Sequence, residues 1–236
     1  MNKIRYGIDA PLVPLLWFLG GLGVLIGVAV SHDYATWPIS LIFGVVLLIG
    51  SGLFLHTSVR GKFLIWQKII AQLSLPDTSH VLDLGTGHGA VLIPLAQKLT
   101  ADGQAIGVDL WRNRDQSSNS LAATEANLKL AGVADRTKLI TADMRHLTLE
   151  DNQFDLVVSS FAFHNIKPAA DRITALHEAV RVLKPGGQLI IVDTGHNLKE
   201  YAAALHDLKN ITTKSCGLNG WWSGPWMGSY MISGEK

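Results

Sequence analysis

The sequence is short of charge and of cysteine. Only 17% of its 236 residues are charged, against about a quarter in an average soluble domain. A disordered chain combines low hydrophobicity with high net charge. Here 48% of residues are apolar and the formal net charge is +1, which excludes that class. The 23 glycines follow no fixed period, so a collagen-like or low-complexity chain is excluded too. The single cysteine, Cys216, rules out a disulfide framework and any multi-cysteine metal site. One cysteine fits a reducing, cytosolic setting.

The missing charge is concentrated. No charged residue lies between Ala10 and Ser31, and none between Tyr34 and Leu55. Residues 1–59 carry four charges: Lys3, Arg5, Asp9 and Asp33. A helix rises about 1.5 Å per residue, so about 20 apolar residues cross a bilayer core of roughly 30 Å. Two spans are expected, at 11–31 and 36–55. Core helices of soluble proteins keep a polar face, which argues against a buried hairpin. A cleaved signal peptide is the other alternative, with Ala29-Val30-Ser31 as a small-residue cleavage site. The first run is long for a signal core, however, and a second follows at once.

Orientation follows from the positive residues. Lys3 and Arg5 precede the first run; Arg60, Lys62 and Lys68 follow the second. The connector has no Lys or Arg. Both termini are therefore expected on the cytoplasmic side, with a short outside turn at 32–36. Trp17 and Trp37 are candidate interface anchors. Gly23 and Gly27 form a small-xxx-small pair suited to close helix packing.

Residues 60–236 carry 18 Lys/Arg and 17 Asp/Glu. That balance argues against a nucleic-acid footprint. This part alternates short apolar strands with helical segments. Strands are expected at 80–84, 105–109, 138–141, 154–160 and 188–193. Helices are expected at 62–73, 89–99, 118–131, 169–183 and 198–208. Lys184-Pro185-Gly186-Gly187 reads as a helix stop, and 211–236 as two strands around a Gly/Trp-rich loop. The alternation implies βαβ units in a mostly parallel sheet.

Ligands of open α/β sheets bind at the carboxyl ends of strands, so the residues there matter most. After strand one comes Asp83-Leu84-Gly85-Thr86-Gly87-His88-Gly89, a loop that lets backbone approach a ligand closely. Gly85, Gly87 and Ala90 also fit a dinucleotide fingerprint, with Asp109 about 20 residues on. After strand two, Asp109 can accept two hydrogen bonds from a ribose diol. After strand three, Asp143 can accept from an adenine amine, with Met144 against the ring. Ser160, His164 and Asn165 follow strand four.

Taken together, VLDLGTGHG (81–89), GVDLW (107–111), TADMRHL (141–147), FDLVVSSFAFHNI (154–166) and RVLKPGGQLIIVD (181–193) resemble the class I S-adenosylmethionine-dependent methyltransferases. The likeness covers about 75–232 and is greatest to the quinone-methyltransferase-like branch. It implies a Rossmann-like seven-stranded sheet, order 3-2-1-4-5-7-6 with strand seven antiparallel. The implied domains are a hairpin at 1–59 and a catalytic domain at 60–236. It further implies S-adenosylmethionine as cofactor. Asp83, Gly85, Thr86, Gly87 and Gly89 would then hold its amino-acid part. Asp109 would take the ribose and Leu110 the adenine face, Asp143 and Met144 the adenine edge, and Ser160 the methionine portion. The dehydrogenase reading gives Asp143 no role and lacks a Tyr-x-x-x-Lys pair, since Leu205 stands four residues after Tyr201.

Methyl transfer from a sulfonium is an in-line displacement, so the protein supplies mainly position and dryness. His164 is the candidate base or acceptor contact, with a loop-ordering hydrogen bond as its alternative. His196 and Asn165 are candidate acceptor contacts. His88 reads as packing or a cofactor contact. Trp221, Trp222 and Trp226 read equally as hairpin packing or as a membrane-facing cover. The expected acceptor is lipophilic, because the first cytoplasmic helix continues from the second span. A soluble or protein acceptor, or a non-catalytic cofactor-binding module, are the alternatives.

Overall fold

The computed structural model describes residues 3–31, 37–100 and 102–236. Two apolar helices come first: α1 (Leu12–Ser31) and α2 (Trp37–His56). The turn expected at 32–36 lies outside the described residues. Among the exposed large side chains are Leu16, Phe18, Leu19 and Ile26 on α1 and Ile42, Phe43 and Ile49 on α2. The buried-core alternative is therefore not what the chain adopts.

The two helices pack through different glycines from those expected. A Cβ built on Gly23 or Gly27 meets nothing within 4 Å, so neither is at the contact. Gly21 and Gly44 face each other instead. A Cβ on Gly21 would lie 2.9 Å from the Gly44 carbonyl oxygen, and one on Gly44 2.8 Å from Leu25. The Ser51 hydroxyl donates to the Pro14 carbonyl at 2.8 Å. Trp17 sits inside the hairpin, its ring 6.1 Å from that of Phe54.

The second helix does not end where the charged part of the chain begins. It passes through a π-helical turn at Thr57–Gly61 into α3 (Lys62–Gln72). The expected boundary at 59/60 thus falls inside one helical run, Trp37–Gln72. Such π turns are rare and often found at functional sites.

The remaining elements are β1 (His80–Leu84), α4 (Leu92–Ala96), β2 (Gln104–Asp109), α5 (Leu121–Leu130), β3 (Thr137–Thr141) and β4 (Phe154–Ser160). They continue as α6 (Ala169–Val182), β5 (Leu183–Thr194), α7 (Leu198–Ala204), β6 (Lys209–Ser215) and β7 (Ser229–Glu235). The sheet order is β3-β2-β1-β4-β5-β7-β6. β7 runs antiparallel to both its neighbours, and the β1–β5 pairings are parallel. This is the fold the sequence motifs implied.

The strand pattern explains the layering. Successive side chains alternate faces. Val81 joins Ile65, Trp66, Val91, Leu95 and Leu128 on one face, under α3, α4 and α5. Leu82 and Leu84 join Phe163, Leu176, Ala179 and Tyr201 on the other, under α6 and α7. Fully covered strands read as mainly apolar runs, as the central stretches of β1, β4 and β5 do.

Three helices are several residues shorter than expected, α5 among them because Ser120 caps it at Leu121. α4 starts only at Leu92, because the glycine loop turns through Gly89 first. α7 ends at Ala204. α6 ends at Val182, just before the Lys184–Gly187 segment as expected, but that segment also opens β5, five residues earlier than expected. Gly186, at φ +79°, donates to the Lys236 carbonyl, and the Lys236 amide donates back to Gly187. That pairing keeps the segment extended.

Candidate active site

The glycine loop is the floor of the site. It leaves β1 at Asp83, and the Gly85 and Thr86 amides both donate to the Val108 carbonyl at 2.8 and 3.1 Å. Gly85 has φ +77°, a conformation costly for other residues. A Cβ there would collide with that of Ala162. Gly87, at φ +49°, leaves room for the Gln116 side chain, whose Oε1 would stand 2.5 Å from a Cβ. Its amide donates to Asp109 Oδ2 at 2.8 Å, which ties the loop to the end of β2.

Asp83 is buried. Its Oδ2 accepts from Thr86 Oγ1 at 2.8 Å, while Oδ1 has no hydrogen bond of normal geometry among the described residues. Burial pushes its carboxyl up to about 7, with the nearby Asp109 charge adding to the rise. A group that donates or carries positive charge is what this oxygen lacks. The ammonium of an amino acid supplies both.

One cavity of about 820 Å³ collects most of the expected residues. Asp83, Gly85, Thr86, Gly87, Asp109, Leu110, Asp143, Met144, Ser160, His164, Asn165 and His196 all line it. Gly89 is the exception among the expected cofactor residues. It stands behind the loop, where a Cβ would meet Ile93 at 3.2 Å. Its φ of +84° turns the chain toward α4 rather than presenting backbone to a ligand. His88 is also turned away from the cavity. Its Nε2 lies 3.0 Å from the Ser117 carbonyl oxygen, a packing role.

Both expected acidic partners are already engaged by protein. Asp109 Oδ1 accepts from the Trp111 amide at 2.6 Å and from Asn119 Nδ2 at 3.2 Å. With the Gly87 amide on Oδ2, three of the about four acceptor sites of this carboxylate are taken, which leaves one, on Oδ2, for a ribose hydroxyl. Asp143 is gripped by Arg145, whose Nε lies 3.0 Å from both oxygens and Nη2 2.6 Å from Oδ2. That guanidinium holds the Asp143 carboxyl below its ordinary range. Arg145 also pairs with Asp171 on α6.

The base candidate has a partner that the sequence reading overlooked. His164 Nδ1 donates to Asp193 Oδ1 at 2.6 Å, and the His164 amide donates to Oδ2 at 3.0 Å. Asp193 also accepts from the Thr194 amide at 2.7 Å and the Tyr201 hydroxyl at 3.0 Å. It ends β5 and is buried. Burial works to lower the His164 imidazole, but the Asp193 charge and hydrogen bond outweigh it and raise it above its ordinary value. Burial would raise Asp193, but the same pairing holds it below. With Nδ1 committed, Nε2 is the nitrogen left for a ligand in the cavity.

The far wall is apolar. Val13 of α1 and Phe54 of α2 line the same cavity, with Phe161, Trp222 and Met227. The Trp222 ring lies 4.7 Å from Phe54 and 5.0 Å from Phe161, both edge-on. Phe161 follows β4 at φ +54°, a strained position for an aromatic residue. Trp222 is held by its Nε1, which donates to Ser229 Oγ at 3.0 Å. Ser160 is held from α3, its Oγ accepting from Trp66 Nε1 at 2.8 Å.

Comparison with known proteins agrees with this geometry. Residues 82–191 match the model of the family described as a methyltransferase domain. A demethylmenaquinone methyltransferase of Lactiplantibacillus plantarum is 38% identical over 130 residues, 55% of this chain and 51% of the relative. A sterol 4-C-methyltransferase of Caenorhabditis elegans is 30% identical over 159 residues, 64% of this chain and 42% of the relative. The chain thus spans about half the length of these curated relatives. A structure titled as a SAM-dependent methyltransferase from Aquifex aeolicus superposes with a TM-score of 0.56 at 18% identity, covering 78% of this chain and 97% of that one. The part of the chain from β1 onward has the methyltransferase fold.

The residues fit S-adenosylmethionine. The orphaned Asp83 oxygen, the Cβ-free loop at Gly85 and Gly87, and the Asp109 carboxylate form one continuous cradle.

Proposed function

We propose that this chain is a membrane-anchored S-adenosylmethionine-dependent methyltransferase for a lipophilic acceptor, quinone-like, isoprenoid or lipid. In this reading α1 and α2 cross the bilayer, with both termini and the catalytic domain on the cytoplasmic side. The observation that carries it is the continuity of the cavity. It runs from the glycine loop to Val13 and Phe54, side chains at the domain ends of the two apolar helices. A lipid-soluble acceptor reaches such a cavity without crossing water. The named acceptors of the two relatives, a demethylated menaquinone and a sterol, belong to the same chemical class. Each helix has 20 residues, long enough for a bilayer core of roughly 30 Å. Lys3, Arg5, Arg60 and Lys68 all flank them on the domain side, in keeping with the positive-inside rule.

When bound, the cofactor supplies a methyl group on a positively charged sulfur. The chain does the rest. Asp83 and the loop amides fix the amino-acid part, and Asp109 the ribose. The Phe54–Trp222–Phe161 wall excludes water and orients an apolar ring or chain. Where the acceptor atom loses a proton, His164 Nε2 takes it, and Asp193 stabilises the resulting imidazolium.

The test compares a prenylated quinol in vesicles with its tail-free, water-soluble analogue, using the full chain in the same vesicles. The reading expects a much higher kcat/KM for the prenylated form. Equal rates on both would refute the lipophilic acceptor. An absence of calorimetric S-adenosylmethionine binding would refute the activity itself.

A further inference from the structure

The segment before α1 lies outside the matched domain, yet it is built into the site. Asp9 lines the cavity. Its Oδ2 accepts from Lys62 Nζ at 2.7 Å and from Ser58 Oγ at 2.9 Å. Its Oδ1 accepts from Gln116 Nε2 at 2.9 Å. Lys62 is only 5% exposed in its side chain, so this ion pair is shielded from solvent. The other end of the Gln116 amide, Oε1, accepts from the His88 amide at 3.2 Å and stands over Gly87. A chain of contacts therefore runs Lys62–Asp9–Gln116–glycine loop.

The backbone around Asp9 is seated just as firmly. The Ile8 amide donates to Ser117 Oγ at 2.8 Å, and the Ser117 amide returns a bond to the Ile8 carbonyl at 2.9 Å. Asn127 of α5 bonds both the Arg5 amide and its carbonyl, and also the His88 carbonyl. Gly7, at φ +68°, lies so close that a Cβ would stand 2.6 Å from the Ser117 carbonyl oxygen and 3.0 Å from His88. The π turn at Thr57–Gly61 carries Ser58, and Lys62 follows it, so one helical irregularity presents both groups to Asp9.

We propose that Asp9, set by Lys62 and Ser58, is a positioning residue for the cofactor loop, so that the strap 3–10 and the apolar hairpin are working parts of the cofactor site. It rests on the S-adenosylmethionine reading above. Asp9 acts through Gln116: its charge orients the amide, and the amide holds the His88 backbone and thereby the Gly85–Gly89 turn. Ala10 and Pro11 connect this point directly to α1, so any shift of α1 relative to α2 is felt at the loop.

The experiment uses the full chain in nanodiscs, with D9N, D9E and K62M variants. Two quantities are read: the Kd for S-adenosylhomocysteine by calorimetry, and amide hydrogen exchange of residues 85–89 without any ligand. Loss of one charge-assisted contact in a shielded site is expected to weaken binding by about tenfold in D9N. Exchange at 85–89 rises in D9N and K62M, and D9E largely restores both quantities. The D9N/K62M double variant falls no further than either single one, as coupled partners do. Unchanged Kd and exchange in a D9N protein with wild-type circular dichroism would overturn the proposal. Wild-type protein that binds no S-adenosylhomocysteine would instead overturn the cofactor reading on which it rests.

Discussion

Replacing Asp193 with Asn removes one charge and almost no volume. The carboxylate takes four donors: the His164 amide and Nδ1, the Thr194 amide and the Tyr201 hydroxyl. Asn keeps one acceptor oxygen and turns an NH₂ toward the other pair of donors. Whichever way it sits, two of these four contacts are lost or must reverse beside Tyr201, a side chain 1% exposed: one backbone amide loses its acceptor, and the Tyr201 hydroxyl or the imidazole must turn to accept. Each unmet buried donor costs about 1–3 kcal/mol, and relief from burying a charge offsets part of that. A net loss of about 2–4 kcal/mol is expected from these opposing effects. Urea unfolding of the detergent-solubilised chain, followed by fluorescence, measures it. Catalysis responds separately. The neutral imidazole is the base, so wild-type activity climbs as pH rises through the raised His164 value. Without the Asp193 charge, burial is opposed only by the Asp115 and Asp9 charges, so that value falls and the ascending limb moves to lower pH. The plateau kcat falls because Asn no longer holds the proton on Nδ1. A stability loss under about 1 kcal/mol, together with an unmoved pH limb, would refute the pairing and the base assignment.

Other outcomes follow from single contacts. Asp83 titrates near 7 because it is buried; cofactor binding is expected to tighten as pH rises through that value, and D83N to lose both the affinity and the pH dependence. The same raised carboxyl makes the ligand-free fold less stable as pH climbs from the unfolded value toward 7, a sign checked by thermal melts across pH. Gly85→Ala meets Ala162 and a left-handed backbone, so it abolishes cofactor binding in calorimetry, whereas Gly132→Ala, with open space around it, costs only the strain of about 1 kcal/mol. Gly44→Leu overpacks the hairpin contact by about 1–3 kcal/mol, while Gly23→Ala is neutral in the same unfolding assay.

The strands and the glycine loop were legible because their causes are local. A mainly apolar run means a strand covered on both faces, and glycines at 85 and 87 mark backbone that side chains would obstruct. The order of strand-end residues was enough to place Asp83, Asp109, Asp143 and His164 around one cavity. What stayed hidden depends on contacts between distant positions. Asp9 meets Gln116 across 107 residues, and nothing near either residue announces it. Asp193 looked like the end of an apolar strand until the fold put it under His164. The helix contact through Gly21 and Gly44 rather than Gly23 and Gly27 depends on the rotation of one helix against the other. Spacing within one helix carries no information about that rotation. The Arg145 pairing stayed hidden in a similar way, since Asp171 approaches it from a different helix. The Lys184–Gly187 segment reads as a helix stop because Pro and Gly interrupt helices, and its pairing with Lys236 is not visible in the local sequence.

The central claim is that the cavity joins a cofactor cradle to the bilayer. Incubation of the full chain in vesicles with methyl-labelled S-adenosylmethionine and a total lipid extract tests it most directly. Label entering the organic phase on a discrete lipophilic product is the expected result. Label remaining with water-soluble acceptors alone would contradict it.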